Sequence, residues 1–149
     1  MLARDRLFVI IVGCGRLGSY LANRMSQDAH HVVVIDKDES AFDRLSAEYS
    51  GFRVEGDATE FAVLKQAKID DADLVIAAAR EDNVNLMVAQ IARKLFRVRR
   101  VMARVFDPQQ AEIYRDFGIE AICPTSLAGD IFLQSLGKSP ALNEEGNAQ

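Results

Sequence analysis

Residues 13–18 read Gly-Cys-Gly-Arg-Leu-Gly and follow directly on the apolar run Leu7-Phe8-Val9-Ile10-Ile11-Val12. Eighteen residues beyond Gly18, Asp36 closes a second apolar run, Val32 to Ile35. Between a strand and a helix this spacing constrains the fold strongly, because each position has a separate physical duty. Gly13 permits the tight turn. Gly15 lets the backbone N–H groups of Cys14, Gly15, Arg16, Leu17 and Gly18 approach a pyrophosphate with no Cβ in the way. Gly18 allows the helix to pack close to the sheet, and Asp36 is placed to accept hydrogen bonds from a ribose diol. The pattern predicts an adenine nucleotide or dinucleotide at the start of the first helix.

Outward from that loop, strand-like and helix-like segments alternate. Apolar runs at 7–12, 32–35, 74–79, 101–106 and 119–123, with a weaker one around Phe52-Arg53-Val54, predict six strands. Between them, Leu17, Leu21 and Met25 form a helical stripe, as do Phe42, Leu45 and Tyr49, and Phe61, Leu64 and Lys68. Val84, Met87, Val88, Ile91 and Leu95 form the clearest one, and Ile113, Tyr114 and Phe117 another. All are read as core. Asp38 or Ser40 is expected to cap the second helix, Thr59 the third, and Asp107 the one opened by Pro108. Gly51 and Gly118 are expected to mark helix ends.

Right-handed crossovers then give an α/β, Rossmann-type, doubly wound parallel six-stranded sheet of order 3-2-1-4-5-6, with helices on both faces. An extra C-terminal helix runs from Pro124 to about Leu136, with Leu127, Ile131, Phe132 and Leu136 along one stripe. It either packs on its own sheet or docks on a partner. Residues 1–137 read as one nucleotide-binding domain and 138–149 as a polar tail or truncated linker.

The balance of 18 basic against 22 acidic residues, a net charge of −4, gives no reason to expect nucleic acid. No apolar stretch approaches the roughly 20 residues that span a bilayer, and the first strand starts too early to leave room for a secretory signal. Cys14 and Cys123 share no metal-ligand spacing and read as small buried thiols of a cytoplasmic protein.

The chain resembles the N-terminal nucleotide-binding domain of the RCK family, also called TrkA-N or KTN. Beyond Gly13–Gly18, the resemblance rests on Val-Ile-Asp-Lys-Asp at 34–38, Gly-Asp-Ala-Thr-Glu at 56–60 and Ile-Asp-Asp-Ala-Asp-Leu-Val-Ile-Ala-Ala at 69–78. Asn85-Leu86, Ala103-Arg104-Val105, Asp107-Pro108, Phe117-Gly118-Ile119 and Pro124 extend it over roughly residues 7–130. His30-His31 stand where the family usually turns with glycine, and Ala79-Arg80 replace a common Thr-Asp. The second RCK subdomain, which would follow residue 140, has no counterpart here. The resemblance implies a cytoplasmic regulatory domain at the inner face of the membrane. Its partner would be a potassium-transporting membrane protein, with dimers formed through the helix after strand six and rings of dimers beneath the pore.

The site residues carry alternatives. Arg16 reaches a distal phosphate or is a solvated surface arginine. Lys37 touches the ribose or adenine edge or is solvated. Asp57 accepts from the adenine amino group, with Ala58 leaving room for the ring, or caps the following helix. Ala78 and Ala79 are small, as backbone lining a crevice requires, and Arg80 adds positive charge beside them. Arg104, by resemblance, contacts phosphate; a strand-end arginine also pairs with local carboxylates. Asp36 disfavours a 2′-phosphate, so NAD(H), ATP, ADP or AMP is expected rather than NADP. No catalytic or metal-binding residues are expected, since His30 and His31 fall at the amino edge of the sheet. The alternatives to a sensor are an NAD-linked oxidoreductase domain separated from its substrate domain, and an adaptor with a non-transport partner.

Overall fold

Valine and isoleucine alternate across both faces of the inner strands, and burial on two sides dictates the architecture. In a computed structural model, which describes residues 5–137, β1 (Phe8–Val12) sends Val9 and Ile11 to one face and Ile10 and Val12 to the other. β2 (His31–Asp36) divides Val32 and Val34 from Val33 and Ile35 in the same way. Such strands need cover on both faces, which parallel sheets with crossover helices supply. With β3 (Phe52–Glu55), β4 (Leu74–Ala77), β5 (Arg100–Arg104) and β6 (Glu120–Ile122), they form one all-parallel sheet of order β3-β2-β1-β4-β5-β6. This is the expected doubly wound topology.

Helix α1 (Arg16–Gln27) covers one face, where Ala22 joins Val9, Ile11, Val34 and Phe42 in one buried cluster. On the other face α2 (Phe61–Gln66), α3 (Asp82–Gln90) and α4 (Ala111–Asp116) contribute Leu64, Val88 and Tyr114 to the larger core cluster. Tyr114 is fully buried, and its hydroxyl donates to the Asp82 carbonyl at 2.9 Å. Gly118 ends α4 at φ +74°, as expected of a glycine there.

The crossovers are less helical than the stripes predict. After β2 only a 3-10 segment forms, Glu39–Arg44, capped by Asp38, which accepts the Ser40 N–H at 3.0 Å. Leu45 then turns extended (φ −73°, ψ 139°), and the Ser46 N–H is drawn to the Asn23 side chain at 2.9 Å. Phe42 is nonetheless buried and the Tyr49 hydroxyl donates to the carbonyls of Val32 and Phe52, so the stripe contributes to packing without a long helix. Thr59 does not cap α2; it donates through both N–H and hydroxyl to Asp57, and Glu60 precedes the helix. Lys68 lies beyond α2 in a left-handed conformation. Asp107 does accept the Gln109 N–H, opening a 3-10 turn, Pro108–Gln110, ahead of α4.

Three stripes are only partly core, the first because Phe61 is exposed beside buried Leu64. A π-helical turn, Ile91–Leu95, continues α3, leaving Ile91 and Ala92 buried but Leu95 at the surface with Met87. Ile113 is likewise exposed beside buried Tyr114. Helix α5 (Pro124–Gly137) has no buried residue and exposes Leu127, Ile131, Phe132, Leu133 and Leu136. The expected tail, 138–149, lies outside the described residues.

Gly18 makes the closest approach among the described glycines: a Cβ built there would lie 1.8 Å from the Gly13 carbonyl oxygen. Gly18→Ala should therefore lower unfolding free energy in urea by about 3 kcal/mol, the upper part of the overpacking range. Gly129→Ala, on exposed α5 with no atom within 4 Å of the added methyl, should be neutral or slightly stabilising.

Candidate nucleotide-binding site

The carboxyl ends of β1, β2, β4 and β5 lie side by side, with Val12 in register with Ile35 and Ala77, and Ala77 with Ala103. Strand order reverses around β1, so the chain leaving β1 and the chain leaving β4 diverge and open a crevice. Gly13 continues the ladder by donating to the Ile35 carbonyl at 2.8 Å, while Ala78 donates to Val12 at 2.8 Å. Gly13 holds φ +98°, and a Cβ there would meet the Ala78 carbonyl at 2.7 Å, so the turn requires glycine twice over.

Gly15 stands at the entrance to α1. No side chain caps this helix, its first turn holds no acid, and a Cβ on Gly15 would meet no protein atom within 4 Å. The first intrahelical bond runs from Ser19 N–H to the Gly15 carbonyl. The amides at the head of α1 thus border open space, a fit for an anion. Arg16 is exposed beside them, Leu17 is half-buried and Gly18 is buried against the turn.

Cys14 departs from the expectation that its amide would join the phosphate cradle. Its N–H donates instead to Asp36 Oδ2 at 2.8 Å, and its side chain is buried in the cluster under α1. Burial, aided by the Asp36 carboxylate, pushes the thiol up to about 11. The other oxygen of Asp36 accepts the Asp38 N–H at 2.8 Å. One carboxylate therefore ties the glycine turn to the turn after β2, while each oxygen retains a lone pair for a ribose hydroxyl.

Beside it, Lys37 and Asp57 emerge from the tips of β2 and β3. Asp57 is exposed, and the Thr59 hydroxyl and amide bonds hold its carboxyl below the ordinary range, with the Lys37 charge adding to the effect. These bonds close a local turn and do not cap α2, whose N-cap is Glu60 with no side-chain cap bond, because the helix starts one turn later than the capping alternative requires. Ala58 is buried in the larger core, so its methyl group packs inward.

At the other side of the crevice, Ala78 is buried and Ala79 half-buried, and both Ala79 backbone groups are occupied. Asn85, fully buried on α3, accepts the Ala79 N–H at 2.7 Å and donates to the Ala79 carbonyl at 2.9 Å and the Arg104 carbonyl at 3.1 Å. Arg104 also donates to the Ala79 carbonyl, through Nη2 at 2.9 Å, and its guanidinium lies 4.6 Å over the Phe106 ring. Its Nε is buried without a partner. Burial lowers the Arg104 pKa against the pull of Asp82, and the Arg80 charge lowers it further. Arg80 and Arg104 thus bring like charges to this wall of the crevice.

Asn85 and Asp82 are the residues that sequence reasoning left without a role. Asp82 accepts the Phe106 N–H at 2.9 Å and fixes the loop after β5. The available signal for Asn85 was a lone amide on the buried side of a helix, flanked by Val84 and Val88. His30 and His31 lie at the amino edge as expected, with His30 Nδ1 accepting the Leu7 N–H at 3.0 Å. Hollows of about 230 Å³ beside Phe42 and about 280 Å³ beside Cys123 are lined by none of the predicted site residues. Openness to the α1 amides, not enclosed volume, marks the site.

Residues 9–124 match the TrkA-N domain. The chain belongs to that family. It is 38% identical over 135 residues to the Trk system potassium uptake protein TrkA of Streptomyces coelicolor, covering 91% of this chain and 60% of that protein. The TrkA-N chain thus spans about three-fifths of that relative's length. The GsuK RCK domain superposes with a TM-score of 0.79 at 26% identity, over 98% of this chain and 31% of that one. The AMP-bound form of the Shewanella denitrificans Kef CTD gives 0.71 at 25% identity, over 93% and 87%.

The two thiols of this TrkA-N domain should separate on alkylation followed by peptide mass spectrometry. Cys123, whose thiol is lowered chiefly by the Ser126 hydroxyl bond, should label first. Cys14 should stay protected until the pH nears about 11. Since Cys14 titrates in the fold above the ordinary 9.0, its contribution to stability is whole below that value and is lost as pH rises toward about 11.

Proposed function

We propose that this domain is the cytoplasmic nucleotide sensor of a potassium transport system, binding NAD(H) or an adenine nucleotide and passing its occupancy to a membrane pore. The carrying observation is the uncapped head of α1 beside open Gly15, flanked by Arg16, on the same sheet edge from which Arg80 and Arg104 leave β4 and β5. The amides of Gly15, Arg16, Leu17 and Gly18 hold phosphate, with Cys14 serving through its bond to Asp36. Asp36 takes the ribose, Lys37 and Asp57 flank the adenine edge with Ala58 beneath, and Ala78 and Ala79 line the opposite wall. Arg80 and Arg104 neutralise further phosphate charge. The AMP carried by the Kef relative and the potassium uptake named for the Streptomyces relative support this reading.

The role is regulatory rather than catalytic. The histidines lie at the edge opposite the crevice, and no described residue there forms a general acid–base pair suited to hydride chemistry. Residues 1–137 act as the nucleotide-binding unit and 138–149 as a polar tail or truncated linker. The exposed apolar side chains of α5 dock on a second copy of the chain, and dimers build a ring at the inner face of the membrane. Nucleotide regulates by binding one arrangement of that assembly more tightly than another.

A thermal-shift and calorimetry panel of NAD, NADH, NADPH, ATP, ADP and AMP tests the ligand. Stabilisation should approach about 2.7 kcal/mol at a hundredfold excess over Kd, with NADPH at least about tenfold weaker than NADH because of Asp36. Asp36→Asn should narrow that difference. A panel in which no nucleotide shifts the melting temperature rules the reading out. Phe132→Asp, on the exposed face of α5, should convert dimer to monomer in sedimentation while leaving nucleotide affinity within about threefold.

A further inference from the structure

The Ala79 carbonyl is held twice, by Asn85 Nδ2 and by Arg104 Nη2, each at 2.9 Å. The two donors are not equivalent. Asn85 is fully enclosed, and its amide is completely used: the oxygen accepts the Ala79 N–H, and the nitrogen serves Ala79 and the Arg104 carbonyl. Arg104 is only half-buried, keeps an unpartnered Nε and stands near the like charge of Arg80. A neutral carbonyl is a weak acceptor for such a cation, and an anionic oxygen binds it more strongly. Moving the guanidinium would ordinarily strand a carbonyl at the crevice wall, which opposes the move.

We propose that Asn85 is a positioning residue of the crevice. By keeping the Ala79 carbonyl and amide satisfied and pinning the Arg104 main chain, it leaves the Arg104 guanidinium free to transfer to a ligand phosphate while the wall stays in place. The selectivity of the site for phosphorylated over unphosphorylated nucleoside therefore depends on a side chain that never touches the ligand. This rests on the nucleotide-binding reading above and assigns Asn85 a role within it.

The test compares ADP with adenosine by calorimetry. In the unaltered protein ADP should bind tighter than adenosine by about tenfold or more, the increment of a charge-assisted bond. Asn85→Leu, of similar volume, should cut that ratio by about tenfold, to its value in Arg104→Met, while adenosine affinity changes little. In an Arg104→Met background the same substitution should leave the ratio unmoved, an outcome that a merely structural role would not produce. An unchanged ratio in Asn85→Leu, or equal loss for both ligands, overturns the proposal while leaving nucleotide binding intact. If the unaltered protein binds neither ligand, the nucleotide reading falls and this inference with it.

Should Asn85→Leu not fold, NMR of the unaltered protein decides. On adding ADP, the Arg104 Nε–H resonance should shift while the Asn85 side-chain amide stays slow to exchange. Faster exchange at Asn85, or an unmoved Arg104, overturns it.

Discussion

The contact between Gly18 and the Gly13 carbonyl sets where everything else at the crevice can be. It brings the first turn of α1 down onto the turn that leaves β1, at a separation that admits no Cβ. From that contact follows the direction in which the α1 amides point. The reach of the Asp36 carboxylate follows too, because Cys14 N–H must present itself at 2.8 Å across 22 residues of chain. The two-sided core of valine and isoleucine holds the strands in register, but the glycine contact converts that register into a site.

Charge is distributed around the crevice in a way that separates two kinds of work. Acidic Asp36 is spent on backbone amides, binding turn to turn, and Asp82 does the same for the loop after β5. The cations Arg16, Arg80 and Arg104 form no salt bridge among the described residues. Arginine paired to carboxylate would have to surrender that partner to an anion. Arginine resting on a carbonyl and a phenylalanine ring gives up much less.

The strands were legible because β-branched runs bounded by turn residues have few other uses, and the glycine spacing located the switch point between them. The crossover after β2 was not, since Phe42, Leu45 and Tyr49 meet helical spacing while the Asn23 side chain draws Ser46 out of line. Nor can a period reveal the π turn that carries Leu95 outward. At the site, glycine and aspartate announced themselves through chemistry that few residues supply. The Cys14 amide and the Asn85 side chain did not, because the Cys14 partner lies 22 residues away and the Asn85 partners 6 and 19, and only the folded chain brings them together.

Helix α5 has a consequence for how the chain acquires its structure. It contributes nothing to either core cluster, so the sheet is complete without it. A helix of 14 residues standing alone in water is marginal, and this one keeps its leucines and phenylalanine outward. A surface that covered those side chains would add to its helicity, so ordering of α5 and docking on its exposed face would be thermodynamically linked. Substitutions along it can then reshape that exposed face without eroding the fold that holds the crevice.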